Sequence, residues 1–325
     1  MLVDPYTRRI RYIRLSITDV CNFRCVYCLP NGYQKPCHGK QQLQRHEIRR
    51  LMTTFATMGV KKIRITGGEP TIRPDFLDIT RDLAAIDGVE VLALTTNGFK
   101  LSKRVQDYYA AGIRQLNVSI DSLRSEHFKN MTGRNHLGEI LKGLELAQAL
   151  PFQSIKINAL LTKRVLNEEM ADFCAWIKDR DMTLRFIEIM PTASNLAFRK
   201  ENFVSGDALR RYLKQHGWEA ESRSILGGPA QVFFHPESKG KIGLIAPYDE
   251  GFCATCNRVR VNSYGELRLC LWEEKETDLK PWLQADDQQR DLQEKLIAML
   301  RLKPEKHQLH DNRFAANSSF SLIGG

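Results

Sequence analysis

Three cysteines fall within eight residues, Cys21, Cys25 and Cys28, and three more, Cys253, Cys256 and Cys270, lie toward the other end of a 325-residue chain. A closed zinc site takes four ligands in a tetrahedron, so each set is one donor short. A cube of four irons and four sulfides also takes four thiolates as a rule. Three leave one iron open to a ligand that is not protein. Cys174 stands at helical spacing among Phe173, Trp176 and Ile177, the setting of a small buried thiol. Cys37, with His38 beside it, keeps zinc open as an alternative at the first set.

Elements must hold these donors, and the chain predicts them by a repeated alternation of β-rich and helical-period runs. Tyr12 to Ile17 reads as a strand. Glu47 to Met58 reads as a helix with Ile48, Leu51, Met52 and Phe55 on one face and Gly59 as its stop. Further strands are expected at Ile63–Thr66, Val89–Thr95, Arg114–Ile120, Ser154–Leu161 and Thr183–Ile189, each separated by enough chain for a crossover helix. Six βα units fit either a doubly wound sheet or an incomplete βα barrel, and in both ligands collect at the C-terminal strand ends. The first cysteine set follows the first strand there. Gly67-Gly68-Glu69-Pro70 follows the second, Thr95-Thr96-Asn97-Gly98 ends the third, and Ser119-Ile120-Asp121-Ser122 ends the fourth. Past about residue 195 the alternation weakens. Ser222 to Pro236, Lys241 to Ile245 and Arg258 to Ser263 suggest a smaller, less regular unit carrying the second cysteine set.

With 42% hydrophobic residues the chain can bury a substantial core, so disorder is excluded as its default state. No apolar run approaches the roughly 20 residues that span a bilayer. Eight cysteines and no signal-like leader after Met1 predict reduced thiols and the cytoplasm. The net charge of +10 asks for an anionic partner, nucleic acid or a phosphorylated small molecule, without deciding which.

Cys-x3-Cys-x2-Cys with Tyr27 directly before the last cysteine resembles the signature of the radical S-adenosylmethionine family, and Gly67-Gly68-Glu69-Pro70 matches its second motif. Within that family the chain resembles the GTP cyclases of molybdenum-cofactor biosynthesis, nearly end to end. The residues that carry this are Arg14 to Asp19, Arg64 to Pro70, Thr95 to Gly98, Asn117 to Leu123, Phe186 to Pro191, Cys253-x2-Cys256-x13-Cys270 with Asn257-Arg258-Val259-Arg260 between, and the terminal Gly324-Gly325. Val20 departs from the pattern, standing where a basic residue often precedes the first cysteine.

The resemblance implies an incomplete (β/α)6 barrel of the radical SAM type over residues 1–195 and a smaller C-terminal auxiliary-cluster domain over 196–325. It implies two 4Fe-4S clusters, the first on Cys21, Cys25 and Cys28 and the second on Cys253, Cys256 and Cys270. S-adenosylmethionine would contact Tyr27, Gly68, Ser119 and Met190. GTP would contact Arg14, Lys62, Arg64, Thr95, Lys156, Arg185, Arg258, Val259 and Arg260, and Arg14, Gly324 and Gly325 would assist catalysis. Arginine suits the triphosphate because its planar fork pairs two phosphate oxygens. The implied reaction has a 5′-deoxyadenosyl radical take the ribose C3′ hydrogen, and C3′ then attacks guanine C8, giving 3′,8-cyclo-7,8-dihydro-GTP. An electron donor such as flavodoxin or ferredoxin and a downstream cyclic pyranopterin monophosphate synthase are implied partners. Nucleic acid and membrane are not, and a homodimer is left open. Two other readings stand beside it: a radical S-adenosylmethionine enzyme that modifies peptides, and a zinc-bearing nucleic-acid-binding module.

Overall fold

The computed structural model describes residues 1–36, 39–221, 228–311 and 320–323. All six expected strands are present: β1 (Tyr12–Ser16), β2 (Lys62–Thr66), β3 (Val91–Thr96), β4 (Gln115–Ser119), β5 (Ser154–Leu161) and β6 (Thr183–Glu188). They pair in chain order and all in parallel. The crossovers run through α1 (Arg45–Thr57), α2 (Phe76–Ala84), α3 (Leu101–Ala110), α4 (Ser125–Thr132), α5 (Leu137–Gln148) and α6 (Met170–Ile177).

Strand pleating explains why the sheet has one oily and one polar face. Side chains alternate, so Ile13 and Leu15, Ile63 and Ile65, Leu116 and Val118, and Leu184 and Phe186 point one way. All are fully buried in a single core with Ile48, Leu51, Met52 and Phe55 of α1. Their neighbours Arg14, Lys62, Arg64, Asn117, Lys156 and Arg185 point the other way, into the concave interior. The start of α1 is fastened by Glu47, which accepts a hydrogen bond from the Gln44 backbone N–H at 2.7 Å and so satisfies a donor the helix itself cannot. At its far end Gly59 takes φ +97°, a turn that a side chain would strain.

After α7 (Leu196–Asn202) and α8 (Gly206–Gln215) come β7 (Glu219–Ala220), β8 (Gln231–Phe234), β9 (Lys241–Ile245), β10 (Arg258–Val261), β11 (Glu266–Arg268) and β12 (Thr277–Asp278), then α9 (Gln289–Leu300) and α10 (Phe320–Ile323). These strands build no sheet of their own. They extend the first one at both edges, in the order β12-β11-β10-β1-β2-β3-β4-β5-β6-β9-β8-β7. β10 lies parallel to β1 and β9 parallel to β6, while β11, β12, β8 and β7 add antiparallel margins. The result is an open, partly closed parallel βα barrel. Among the described residues, no helix is long and apolar enough to cross a membrane.

Candidate active site

The first cysteine loop leaves β1 at its C-terminal end and is pinned by its own backbone. Cys28 N–H and Leu29 N–H both donate to the Cys25 carbonyl, at 3.0 and 2.9 Å, which folds the loop into a tight turn. Arg24 and Val26 donate to the carbonyls of Thr132 and Met131 at the end of α4. Burial pushes the Cys21 thiol up to about 11 and the Cys28 thiol up to about 12, and holds Cys25 well above its ordinary value. The neighbouring thiols add to the rise at Cys25 and Cys28. Such thiols become thiolates only beside a strongly positive group, as an iron–sulfur core provides. Among the described residues, none of them is in a disulfide.

Gly67 and Gly68 are dictated by how closely the β2 loop approaches that cysteine loop. A Cβ on Gly68 would stand 2.4 Å from the Val20 carbonyl oxygen and 2.6 Å from that of Asp19. The approach is held by hydrogen bonds from Gly68 N–H to Thr18 O at 2.9 Å and from Glu69 N–H to Val20 O at 2.8 Å. Glu69 is fully buried and joins this loop to the next. Its carboxylate accepts from Thr71 N–H at 3.1 Å, Thr71 Oγ1 at 2.6 Å, Thr96 Oγ1 at 2.8 Å and Asn97 N–H at 2.6 Å. Burial still pushes its pKa up against those four donors.

The three thiols open onto a cavity of about 180 Å³ whose wall also holds Tyr27, Gly68, Ser119 and Met190, the residues expected to meet S-adenosylmethionine. Groups the sequence reading did not assign complete it. Tyr27 Oη donates to Asp121 Oδ2 at 2.7 Å, and Asp121 Oδ1 accepts from Leu160 N–H at 3.0 Å. Asn195, 1% exposed, donates to the carbonyls of Met190 and Tyr27 at 3.0 and 3.3 Å. Asp121 lies in the Ser119–Ser122 stretch that the sequence places at the end of the fourth strand, without a role of its own, and Asn195 has no local signal at all. Phe320 and Ser321 of α10 close one side of the cavity. The Gly324-Gly325 pair that follows α10 lies outside the described residues, as do Cys37 and His38. Cys174 packs against the core, where burial pushes its thiol up to about 11.

Below that cavity the barrel interior is crowded with cations. Across the sheet Arg260, Arg14 and Arg64 stand in register, as do Arg258, Tyr12 and Lys62. Lys156 and Arg185 face them from β5 and β6. Burial, then the neighbouring guanidiniums, brings Lys62 and Lys156 down to about 8. The same two causes lower Arg14, Arg185 and Arg260. Burial alone would raise the Tyr12 phenol, but Arg64, Arg14, Lys62 and Arg258 outweigh it and bring it down to about 7. Among the described residues, no Asp or Glu stands among the groups that chiefly shift these cations. A phenol and two carboxamides hold some of them: Arg64 Nε donates to Tyr12 Oη at 2.5 Å, Lys62 Nζ to Gln115 Oε1 at 2.6 Å, and Arg185 to Asn158 Oδ1 at 2.6 and 3.0 Å. Thr95 Oγ1 accepts from Arg64 at 3.3 Å. Among the described residues, Arg260 Nε is buried without a hydrogen-bond partner. A buried positive cluster with no carboxylate among these groups is a standing cost that a polyanionic ligand would relieve. Val259 turns its side chain into the core on the opposite pleat, so only its backbone can meet a ligand there.

The second cysteine set sits at the other end of the same strands. Cys256 N–H donates to the Cys253 carbonyl at 3.0 Å just before β10 begins, and the antiparallel pairing of Arg260 with Arg268 carries Cys270 back toward Cys256 and Arg260. Because β10 runs parallel to β1, this set marks the N-terminal strand ends, whereas the first marks the C-terminal ends. The strand-end rule thus locates only one of the two. The rise of β1 from Tyr12 to Ser16 puts roughly 13 Å between the ends. Burial raises Cys253 and Cys270, but at Cys256 it is outweighed by Lys303, Arg258 and Arg260, which lower the thiol. Lys303 is 3% exposed and donates to the Leu269 carbonyl, and Arg8 donates to the Cys253 carbonyl at 3.0 Å. Among the described residues, no three His, Cys, Asp or Glu donors are grouped as for a single metal ion.

Residues 15–177 match the family model for the radical SAM superfamily, and residues 182–309 match the one for molybdenum cofactor synthesis, C-terminal part. A GTP 3′,8-cyclase of Actinobacillus succinogenes is 47% identical over 325 residues, spanning 100% of this chain and 96% of the relative. One from Haemophilus influenzae is 44% identical over 324 residues, with 100% and 96% covered. Among solved structures, SuiB of Streptococcus suis bound to S-adenosylmethionine superposes with a TM-score of 0.63 at 15% identity, covering 90% of this chain and 68% of that one, a likeness of fold.

Proposed function

We infer that this chain, which belongs to the radical S-adenosylmethionine superfamily and within it to the GTP 3′,8-cyclases, performs the first step of molybdenum cofactor biosynthesis in a two-ended barrel. The observation that carries the two-ended site is the placement of one three-thiol set at each end of a single cation-lined interior. Three unlinked soft donors fit a 4Fe-4S cluster with one iron open. The first set would hold the family's cluster with S-adenosylmethionine beside it. The second would hold another cluster, with the guanine end of GTP at its open iron. When bound and reduced, the first cluster supplies the electron that divides S-adenosylmethionine into methionine and a 5′-deoxyadenosyl radical.

The chain's own residues bind, orient and keep the site dry. Arg14, Lys62, Arg64, Lys156, Arg185, Arg258 and Arg260 face inward and would neutralise the triphosphate, with the Thr95 hydroxyl and the Val259 backbone beside them. Gly68 brings its backbone against the cysteine loop, Ser119 and Met190 wall the adenosyl pocket, and Tyr27 is oriented by Asp121. Held between the two ends, ribose C3′ would give up its hydrogen and bond guanine C8, and one further electron and proton would complete 3′,8-cyclo-7,8-dihydro-GTP. Proximity carries most of this, because a carbon radical held beside C8 closes before it is quenched. Gly324 and Gly325 would assist catalysis. Residues 1–195 would act as the radical-generating unit and 196–325 as the second-cluster unit. Flavodoxin or ferredoxin would supply electrons, and the product would pass to a cyclic pyranopterin monophosphate synthase.

Anaerobic reconstitution followed by iron, sulfide and product analysis tests the proposal. About eight irons per chain, with 5′-deoxyadenosine and a cyclised nucleotide formed from GTP, are expected. Iron bound at one set only, or turnover of a peptide in place of GTP, would overturn it.

A further inference from the structure

Asn117 is an interior polar side chain with no role in the arrangement above. It is 3% exposed on β4, in register with Thr95 on one side and Lys156 on the other. It shares its pleat face with Ser119, in the wall of the first cavity, and with Gln115, which accepts from Lys62. Among the described residues, its carbonyl oxygen Oδ1 is buried without any hydrogen-bond partner. The other interior carboxamides are satisfied, Gln115 by Lys62 and Asn158 by Arg185. A buried orphan carbonyl destabilises the ligand-free fold, and a donor that arrives with a ligand would satisfy it.

The ligand chemistry narrows that donor. A triphosphate presents acceptors alone at neutral pH, so Asn117 Oδ1 cannot meet it. A purine ribonucleotide carries donors on its ribose hydroxyls and on its base. Asn117 lies one pleat step from the adenosyl cavity, where the reacting ribose carbon must come. We propose that Asn117 is a specificity-determining residue whose carboxamide oxygen accepts a hydrogen bond from a ribose hydroxyl of the bound GTP. This rests on the GTP reading of the preceding subsection.

The test measures binding of GTP, 2′-deoxy-GTP, 3′-deoxy-GTP and inosine triphosphate to the anaerobic holoenzyme by equilibrium dialysis, with S-adenosylmethionine binding measured separately. The parent is expected to favour GTP about tenfold over one of the two deoxynucleotides. In Asn117→Ser and Asn117→Leu that preference should shrink to within about twofold, as a coupled pair requires. Iron content and S-adenosylmethionine affinity should hold, and the melting temperature of Asn117→Leu should equal or exceed the parent's because the orphan acceptor is gone. A deoxynucleotide preference that persists in both variants would overturn the proposal. So would a collapse confined to the inosine comparison, which makes the base the partner, or a fall in S-adenosylmethionine affinity alone, which makes the adenosyl ribose the partner. A parent that binds no GTP overturns the functional reading itself, an outcome separable from the others.

Discussion

Replacing Gly68 by alanine adds one methyl group at the closest backbone approach in the site. The new Cβ would lie 2.4 Å from the Val20 carbonyl oxygen and 2.6 Å from that of Asp19, both backbone atoms that cannot rotate aside. Ordinary contact requires the cysteine loop to retreat by about 1 Å. That stretches the 2.9 Å bond from Gly68 N–H to Thr18 O and the 2.8 Å bond from Glu69 N–H to Val20 O beyond useful length. Two backbone hydrogen bonds at about 1 kcal/mol each, with overpacking of about 1–3 kcal/mol, give a loss of roughly 3–5 kcal/mol. Cys21 directly follows Val20, so the same retreat displaces a cluster ligand. Thermal melts, iron content and S-adenosylmethionine binding on anaerobically reconstituted protein should all fall, affinity by at least about tenfold. Gly138→Ala is the control: nothing stands within 4 Å of its added Cβ in α5, and alanine there should add about 0.5–1 kcal/mol. If Gly68→Ala melts and binds as Gly138→Ala does, the close-approach reasoning is refuted.

Tyr12 should titrate near 7, far below an ordinary phenol, in the ligand-free protein. Its folded pKa is depressed, so the stability it contributes is whole above about pH 10 and is lost as the pH falls through about 7. A bound triphosphate competes for the same cations and raises the phenol again, so GTP binding near pH 8 should take up a proton. Calorimetry in buffers of different ionisation enthalpy reads this directly, and uptake unchanged in Tyr12→Phe would contradict it. Arg260→Met should weaken GTP binding by roughly 1.5–3 kcal/mol while leaving the ligand-free melting temperature equal or higher, since it removes a crowded like charge. Equal affinity in variant and parent would reject that. Deleting Gly324 and Gly325 should preserve iron content and melting temperature but remove most of the cyclised product, and parental turnover would show the tail to be dispensable.

Much of the site was legible because its signals are local. The alternation of Arg14, Lys62, Arg64, Lys156 and Arg185 with buried aliphatics announces strands with one polar face, and the motifs after β1, β2, β3 and β4 converge because parallel strands end together. Asp121 reads locally as part of a strand-end stretch, yet its carboxylate receives Tyr27, which is distant in the chain. Asn117 reads as a strand residue like any other. Only its neighbours across β3 and β5 reveal that its oxygen has no donor among the described residues.

Cysteine type and spacing, the glycine pair and the pleat periodicity by themselves determined the first thiol loop, its place after β1 and the cationic face beside it, because each depends on residues within a few positions of one another. Where the second thiol set would stand was decided by tertiary structure alone. That depends on Tyr12 pairing with Arg258 in parallel and on Arg260 pairing with Arg268 in the reverse sense. Register between strands so far apart in the chain is chosen by which hydrophobic faces can be buried together, with Ile13 and Val259 on the core side, and no local period records that choice.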